Sequence, residues 1–159
     1  TKPQDGSSYA RLTPLYARLP QIDVVNGIDA RLVEAEAALQ ADNPGGMLAI
    51  LNALRAQAHT LGEVAYEAGA LPPLALPAGR DAQIDLLFRE KAFWTFTRGQ
   101  RLGDLRRLIR QYGRAAENVF PEGPHYRGGE YGDDVNLPVP QQEDNNPNYD
   151  RSMCVNTQA

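Results

Sequence analysis

An acid beside an aromatic ring is the first combination in this sequence that could do chemistry. Glu90 stands four residues before Trp94, and a carboxyl against an indole is held protonated more easily than one in water, as a general acid must be. General acid–base chemistry also wants a second placed group, and none lies near Glu90 in sequence. Glu90 is therefore expected in a structural ion pair. Asp104 stands three residues from both Arg101 and Arg107, a spacing that puts carboxylate and guanidinium on one helical face. Anion capture by Arg101, Arg106, Arg107, Arg110 and Arg114 is the sharper reading. These arginines wind around a helix instead of forming one stripe, so a helix-stabilising, internally paired face is expected.

The turn-rich stretch RGGEYGDD over 127–134 has no strand before it and no Lys-Ser/Thr after it, so it is not a phosphate loop. Glu130, Asp133, Asp134 and Asn136 are hard oxygen donors of the kind calcium takes, but their spacing fits no EF-hand. Solvated acids in a turn are expected, and no metal is assigned. Tyr126 and Tyr131, with Asn136 beside them, are candidate ligand-binding residues. Flat rings stack on sugar C–H faces while amides and acids take the hydroxyls. Trp94, in mid-helix, is expected in the core. Ser7, Ser8 and Ser152 have no base beside them, and Cys154 has no companion histidine. No catalytic residue and no cofactor is assigned.

The elements that must position these residues belong to a chain of 159 residues, 42% hydrophobic and 23% charged. That is one domain's worth of core. A single cysteine excludes an internal disulfide framework, and no stretch reaches the roughly 20 apolar residues of a membrane helix. The net charge of −4 argues against a nucleic-acid partner, although six arginines crowd between Arg98 and Arg114.

Residues 1–26, broken by Pro3, Pro14 and Pro20, read as an extended lead-in. Over 27–61 the pattern predicts an αα-hairpin. Its first helix covers Ile28 to Gln40, with Ile28, Leu32, Ala35 and Leu39 on one stripe, and stops at ADNPGG. Its second covers about Met47 to Thr60. Gly62 to Gly79 reads as a loop. A long helix over 81–113 comes next, with Trp94 or Phe93, and Phe96, on its apolar face. Gly99 and Gly103 leave a bend or two abutting helices open. Residues 114–159 read as an irregular, Pro/Gly-rich lid and tail, with a short extended segment over Val135 to Val139. The fold class is mostly α, with a tetratricopeptide-like hairpin and a long C-terminal helix under an irregular covering. The hairpin has no second copy in the chain and must pack on something else.

Three ordered stretches bear a family likeness: RLVEAEAALQADNPGGMLAILNALRA (31–56), LLFREKAFWTFTRGQRLGDLRRLIRQYGR (86–114) and VFPEGPHYRGGEYGDDVNLPVPQQEDNNPN (119–148). Together they resemble the C-terminal part of the SusD/RagB family of outer-membrane nutrient-binding lipoproteins, from about Asp29 onward. The central motif holds Arg89-Glu90, Gly99, Arg101-Leu102 and Asp104-Leu105-Arg106-Arg107. Leu137-Pro138-Val139-Pro140, Glu143 and Asn146-Pro147 extend it. The resemblance implies a partial SusD-like fold in which Glu90, Gly99, Arg101, Asp104 and Arg107 are scaffold positions. It also implies a non-catalytic protein on the extracellular face of the outer membrane. There it would bind oligosaccharides or other nutrients for a SusC-like TonB-dependent transporter. Family members are much longer and begin with a lipid-bearing cysteine after a signal peptide. A chain opening on Thr1 is thus expected to be a processed product or a fragment. The alternative expectation is a structural, self-assembling extracellular protein derived from such a fragment.

Overall fold

The structure, a computed structural model, describes residues 24–61, 64–125, 128–150 and 152. Of the expected lead-in over 1–26, only Val24, Val25 and Asn26 fall among them. The described chain is mostly helical and divides into two compact units, residues 24–99 and residues 100–152.

The first unit opens with α1, Gly27–Gln40. Its N-cap is Asn26, whose Oδ1 accepts the amides of Ile28 and Asp29 at 3.0 and 3.2 Å, while the Asp29 carboxylate accepts the Asn26 amide at 2.8 Å. This reciprocal box satisfies donors that a helix start otherwise leaves without partners. Helix α2 spans Pro44–Ala56 and begins three residues before the expected Met47. Proline is at home in the first turn, where its missing N–H would have had no helical partner. Asn43 caps this helix by accepting the Gly46 amide at 2.9 Å. A Cβ on Gly46 would sit 2.5 Å from the Asn43 side-chain nitrogen, so a larger residue there would displace the Asn43 side chain from this position.

Helix α2 stops at Ala56, short of the expected Thr60, where Gln57 turns to extended backbone. The chain then forms a two-stranded antiparallel ribbon, β1 His59–Leu61 and β2 Val64–Tyr66, with His59 opposite Tyr66. This corrects the reading of these residues as a helix end and a loop. Thr60 and Val64 are β-branched and His59 and Tyr66 carry rings, residue types that suit a strand. From Leu71 to Gly79 the chain is irregular, as expected. The loop is clamped to α2 by Asn52, which donates to the Leu74 carbonyl at 3.1 Å and accepts the Leu74 amide at 2.7 Å.

Helix α3, Arg80–Trp94, packs against both α1 and α2. The core between them holds Leu32, Ala35 and Leu39 of α1, Met47, Leu51 and Leu54 of α2, and Ile84, Leu87 and Phe88 of α3, all buried. The partner that the hairpin needs is therefore α3.

The long helix expected over 81–113 is not continuous. It ends at Trp94, and α4 begins at Arg101 and runs to Tyr112. Between them Thr97 and Gly99 adopt φ of 66° and 76°, left-handed values that cannot lie in a right-handed helix. The Thr95 hydroxyl donates back to the Lys91 carbonyl at 2.7 Å and closes the end of α3. The second unit consists of α4 and the residues after it. Gly113, at φ 66°, caps α4 with its amide on the Ile109 carbonyl. Beyond it lie two short 3₁₀ turns, Ala116–Asn118 and Gln141–Asn145, and one isolated bridge between Pro124 and Glu130. No strand forms over Val135 to Val139, although Val135 itself is buried.

Candidate functional site

Within the first unit, three close ion pairs tie α3 and the turn after it to residues far away in sequence. Lys91 Nζ lies 3.0 Å from Glu36 Oε2, both side chains almost wholly buried. Arg98 lies 2.5 Å from Asp29, the same carboxylate that closes the N-terminal box of α1. Arg55, in the last turn of α2, donates from Nη1 to both oxygens of Glu90 at 3.1 and 3.0 Å, and from Nε to the Pro72 carbonyl at 2.8 Å. Glu90 is 2% exposed, so its charge is met inside the protein and not by water.

This last pair forms part of the wall of a cleft of about 300 Å³. Trp94 and Phe93 come from the end of α3 and Phe96 from the turn after it. Tyr66 comes from β2 and Leu71 from the loop that Asn52 and Arg55 hold down. Trp94 is buried, whereas Phe93 and Phe96 are 69% and 55% exposed. The ribbon also braces the indole, because His59 meets Trp94 edge-on with ring centres 4.9 Å apart. His59 Nε2 lies 2.6 Å from the Leu54 carbonyl, so that nitrogen carries the proton. Four aromatic side chains thus line the cleft together with two charges that neutralise one another. The arrangement is suited to holding a ligand. The Glu90 carboxylate, engaged through both oxygens, is poorly placed for proton transfer. A second hollow of about 260 Å³ lies along α1 and α2, lined by Arg31, Ile50, Leu54 and Gln57 with Ala49 and Ala53.

The residues singled out in the sequence do not converge on one place. Glu90 lines the cleft together with Trp94. Gly99 is one of the two left-handed residues of the turn between α3 and α4, and Arg101 is the exposed first residue of α4. Asp104 is buried one turn below Arg107, whose Nη1 stands 3.5 Å from its Oδ1. In the second unit Tyr131 is 41% exposed and meets His125 edge-on at 5.0 Å, and Asn136 is half-buried. Tyr126 lies outside the described residues. Among the described residues, no group of three or more acids, histidines or cysteines is placed to hold a metal ion. The Ser152 hydroxyl, and after it the Ser152 amide, hold the Asp150 carboxyl below the usual carboxylate range. That is a turn in the exposed tail.

The sequence does not mark the cleft-lining Arg55, Tyr66, Leu71, Phe93 and Phe96 as site residues. It offers Phe93 and Phe96 only as candidates for an apolar helix face. The structure buries Trp94 and leaves both phenylalanines on the surface, because α3 ends at Trp94 and cannot carry Phe96 around to the core. A pair of phenylalanines flanking a tryptophan at a helix end is the one signal available along the chain. No local pattern announces that Arg55 meets Glu90 across 35 positions. Among the described residues, no helix is long and apolar enough to cross a membrane. No family model, no curated protein and no solved structure matches the chain.

Proposed function

We propose that the chain is a non-catalytic, SusD-like component of nutrient capture at the extracellular face of an outer membrane. It takes oligosaccharides or other nutrients for delivery to a SusC-like TonB-dependent transporter. The observation that carries this reading is the aromatic cleft of the first unit, a preformed hollow lined by flat rings and a mutually neutralised charge pair. Pockets of this kind hold small ligands by contact area and leave a few polar groups to orient them. The ordered motifs from Arg31 to Asn148 supply the family context, and the α1–α2 hairpin is the kind of helix pair which that context implies. Glu90 and Asp104, the two acids most open to a catalytic reading, both face arginine partners.

Calorimetric titration of the purified chain with a panel of neutral oligosaccharides and short peptides tests the proposal. Saturable binding without turnover of the ligand is the expected result. Absence of binding across the whole panel, or chemical conversion of any member, would reject it. A second reading, self-assembly, draws on the exposure of Phe93 and Phe96, which are large apolar groups on one surface. Sedimentation velocity separates the two readings: a monomer at high concentration leaves ligand capture alone.

A further inference from the structure

The walls of the cleft are more specific than a general affinity for nutrients requires. Its two charged groups, Arg55 and Glu90, are bonded to each other, and the carboxylate is sealed. A ligand charge of either sign would therefore meet no uncompensated opposite charge. A sugar ring buried here would bring several hydroxyls to a wall that is mostly carbon, and hydroxyls left without partners are costly. A planar apolar ring carries no such cost. It can stack on, or meet edge-on, Trp94, Phe93, Phe96 or Tyr66. The hollow, about 300 Å³, is at the small end of ligand pockets and suits one ring with a few atoms attached. Besides the Tyr66 hydroxyl, one donor of Arg55 remains available. Arg55 uses Nε on Pro72 and Nη1 on Glu90, which leaves Nη2 without a partner among the described residues and in contact with solvent. That nitrogen is a donor, so it calls for an acceptor on the ligand.

Resting on the ligand-capture reading above, we infer that the cleft is a site for an uncharged aromatic ring carrying a hydrogen-bond acceptor beside it. Arg55 Nη2 donates to the acceptor and the aromatic side chains enclose the ring. The same chemistry occurs in the phenyl side chain of a peptide, next to its carbonyl, and in an aryl glycoside, next to its glycosidic oxygen.

The chain carries its own reporter, because Trp94 is its single tryptophan. Emission from the full-length chain is titrated with N-acetylphenylalaninamide and phenyl glucoside. N-acetylalaninamide and methyl glucoside serve as ring-free controls. A saturable change with one or both phenyl compounds and none with the controls supports the inference, and the compound that binds identifies the source. Phe93→Ala and Phe96→Ala, at exposed positions where the fold tolerates truncation, should each weaken the phenyl compound roughly three- to tenfold. Their circular dichroism should be unchanged. Equal binding of methyl and phenyl glucoside would overturn the inference, as would no response to any probe. A change in emission on concentrating the protein alone would also overturn it, by showing a second copy in the cleft. Oligosaccharide binding seen by calorimetry without a change in Trp94 emission would remove the aromatic site and leave ligand capture standing.

Discussion

Glu90 shows how a single buried charge is made tolerable. Its carboxylate is nearly free of water, so it depends on Arg55 for both of its hydrogen bonds. Removing one member of such a pair costs more than the pair contributes, since the other is left buried and unmatched. Glu90→Gln should lower unfolding stability by about 1–3 kcal/mol, with Arg55→Met costing more because it also frees the Pro72 carbonyl. The double variant should lose clearly less than the sum of the two, as read by urea denaturation of all four proteins. Strict additivity would mean that the two side chains do not support each other. The sequence places Glu90 in an ion pair without naming the partner, because helical spacing reports neighbours three and four residues away and Arg55 lies 35 positions upstream.

At the scale of elements, the helix ends carry much of the local instruction. Asn43 holds the start of α2 through the Gly46 amide, and Asn43→Ala should cost about 1 kcal/mol in thermal or chemical unfolding. An unchanged midpoint would show that Pro44 alone is enough to begin the helix. The turn between α3 and α4 contains a β-branched residue, Thr97, at φ 66°, a conformation that glycine adopts without strain. Thr97→Gly should therefore raise the melting temperature, the relieved strain being worth about 1 kcal/mol. A lower melting temperature would show that the Thr97 side chain supports the turn more than its backbone strains it. The break at this turn is partly legible along the chain: Gly99 and Gly103 suggest a bend, but the left-handed Thr97 obeys no propensity rule.

At the scale of the whole molecule, the first unit has its own core. Buried Leu32, Leu39, Met47, Leu51, Leu87 and Phe88 come from three helices, and three close ion pairs fasten α3 and the turn after it to residues of α1 and α2. A chain truncated after Gly99 should therefore unfold in one cooperative transition, monitored by far-ultraviolet circular dichroism. A broad, non-cooperative loss of helix would show that residues beyond Gly99 are needed to complete it. The hydrophobic stripe Ile28, Leu32, Ala35 and Leu39 is buried as its spacing requires, since a helix that presents one apolar face must cover it. The irregular character of residues 114–125 and 128–150 likewise comes from Gly and Pro density, with only short 3₁₀ turns among them.

Helical periodicity, caps and breakers are written in neighbouring residues. The sequence alone therefore determined that the chain is mostly α, where α1 lies to within a residue, and that α1 and α2 form a pair needing something further to pack on. The cleft is a different matter. Arg55, Tyr66, Leu71 and Trp94 belong to four separate stretches that carry no mark of one another. Their meeting depends on how α2, the ribbon and α3 pack, and packing is a sum over distant contacts that no local pattern records. Tertiary structure alone made a walled hollow of side chains that, read along the chain, look like a helix end, a loop and a stray pair of phenylalanines.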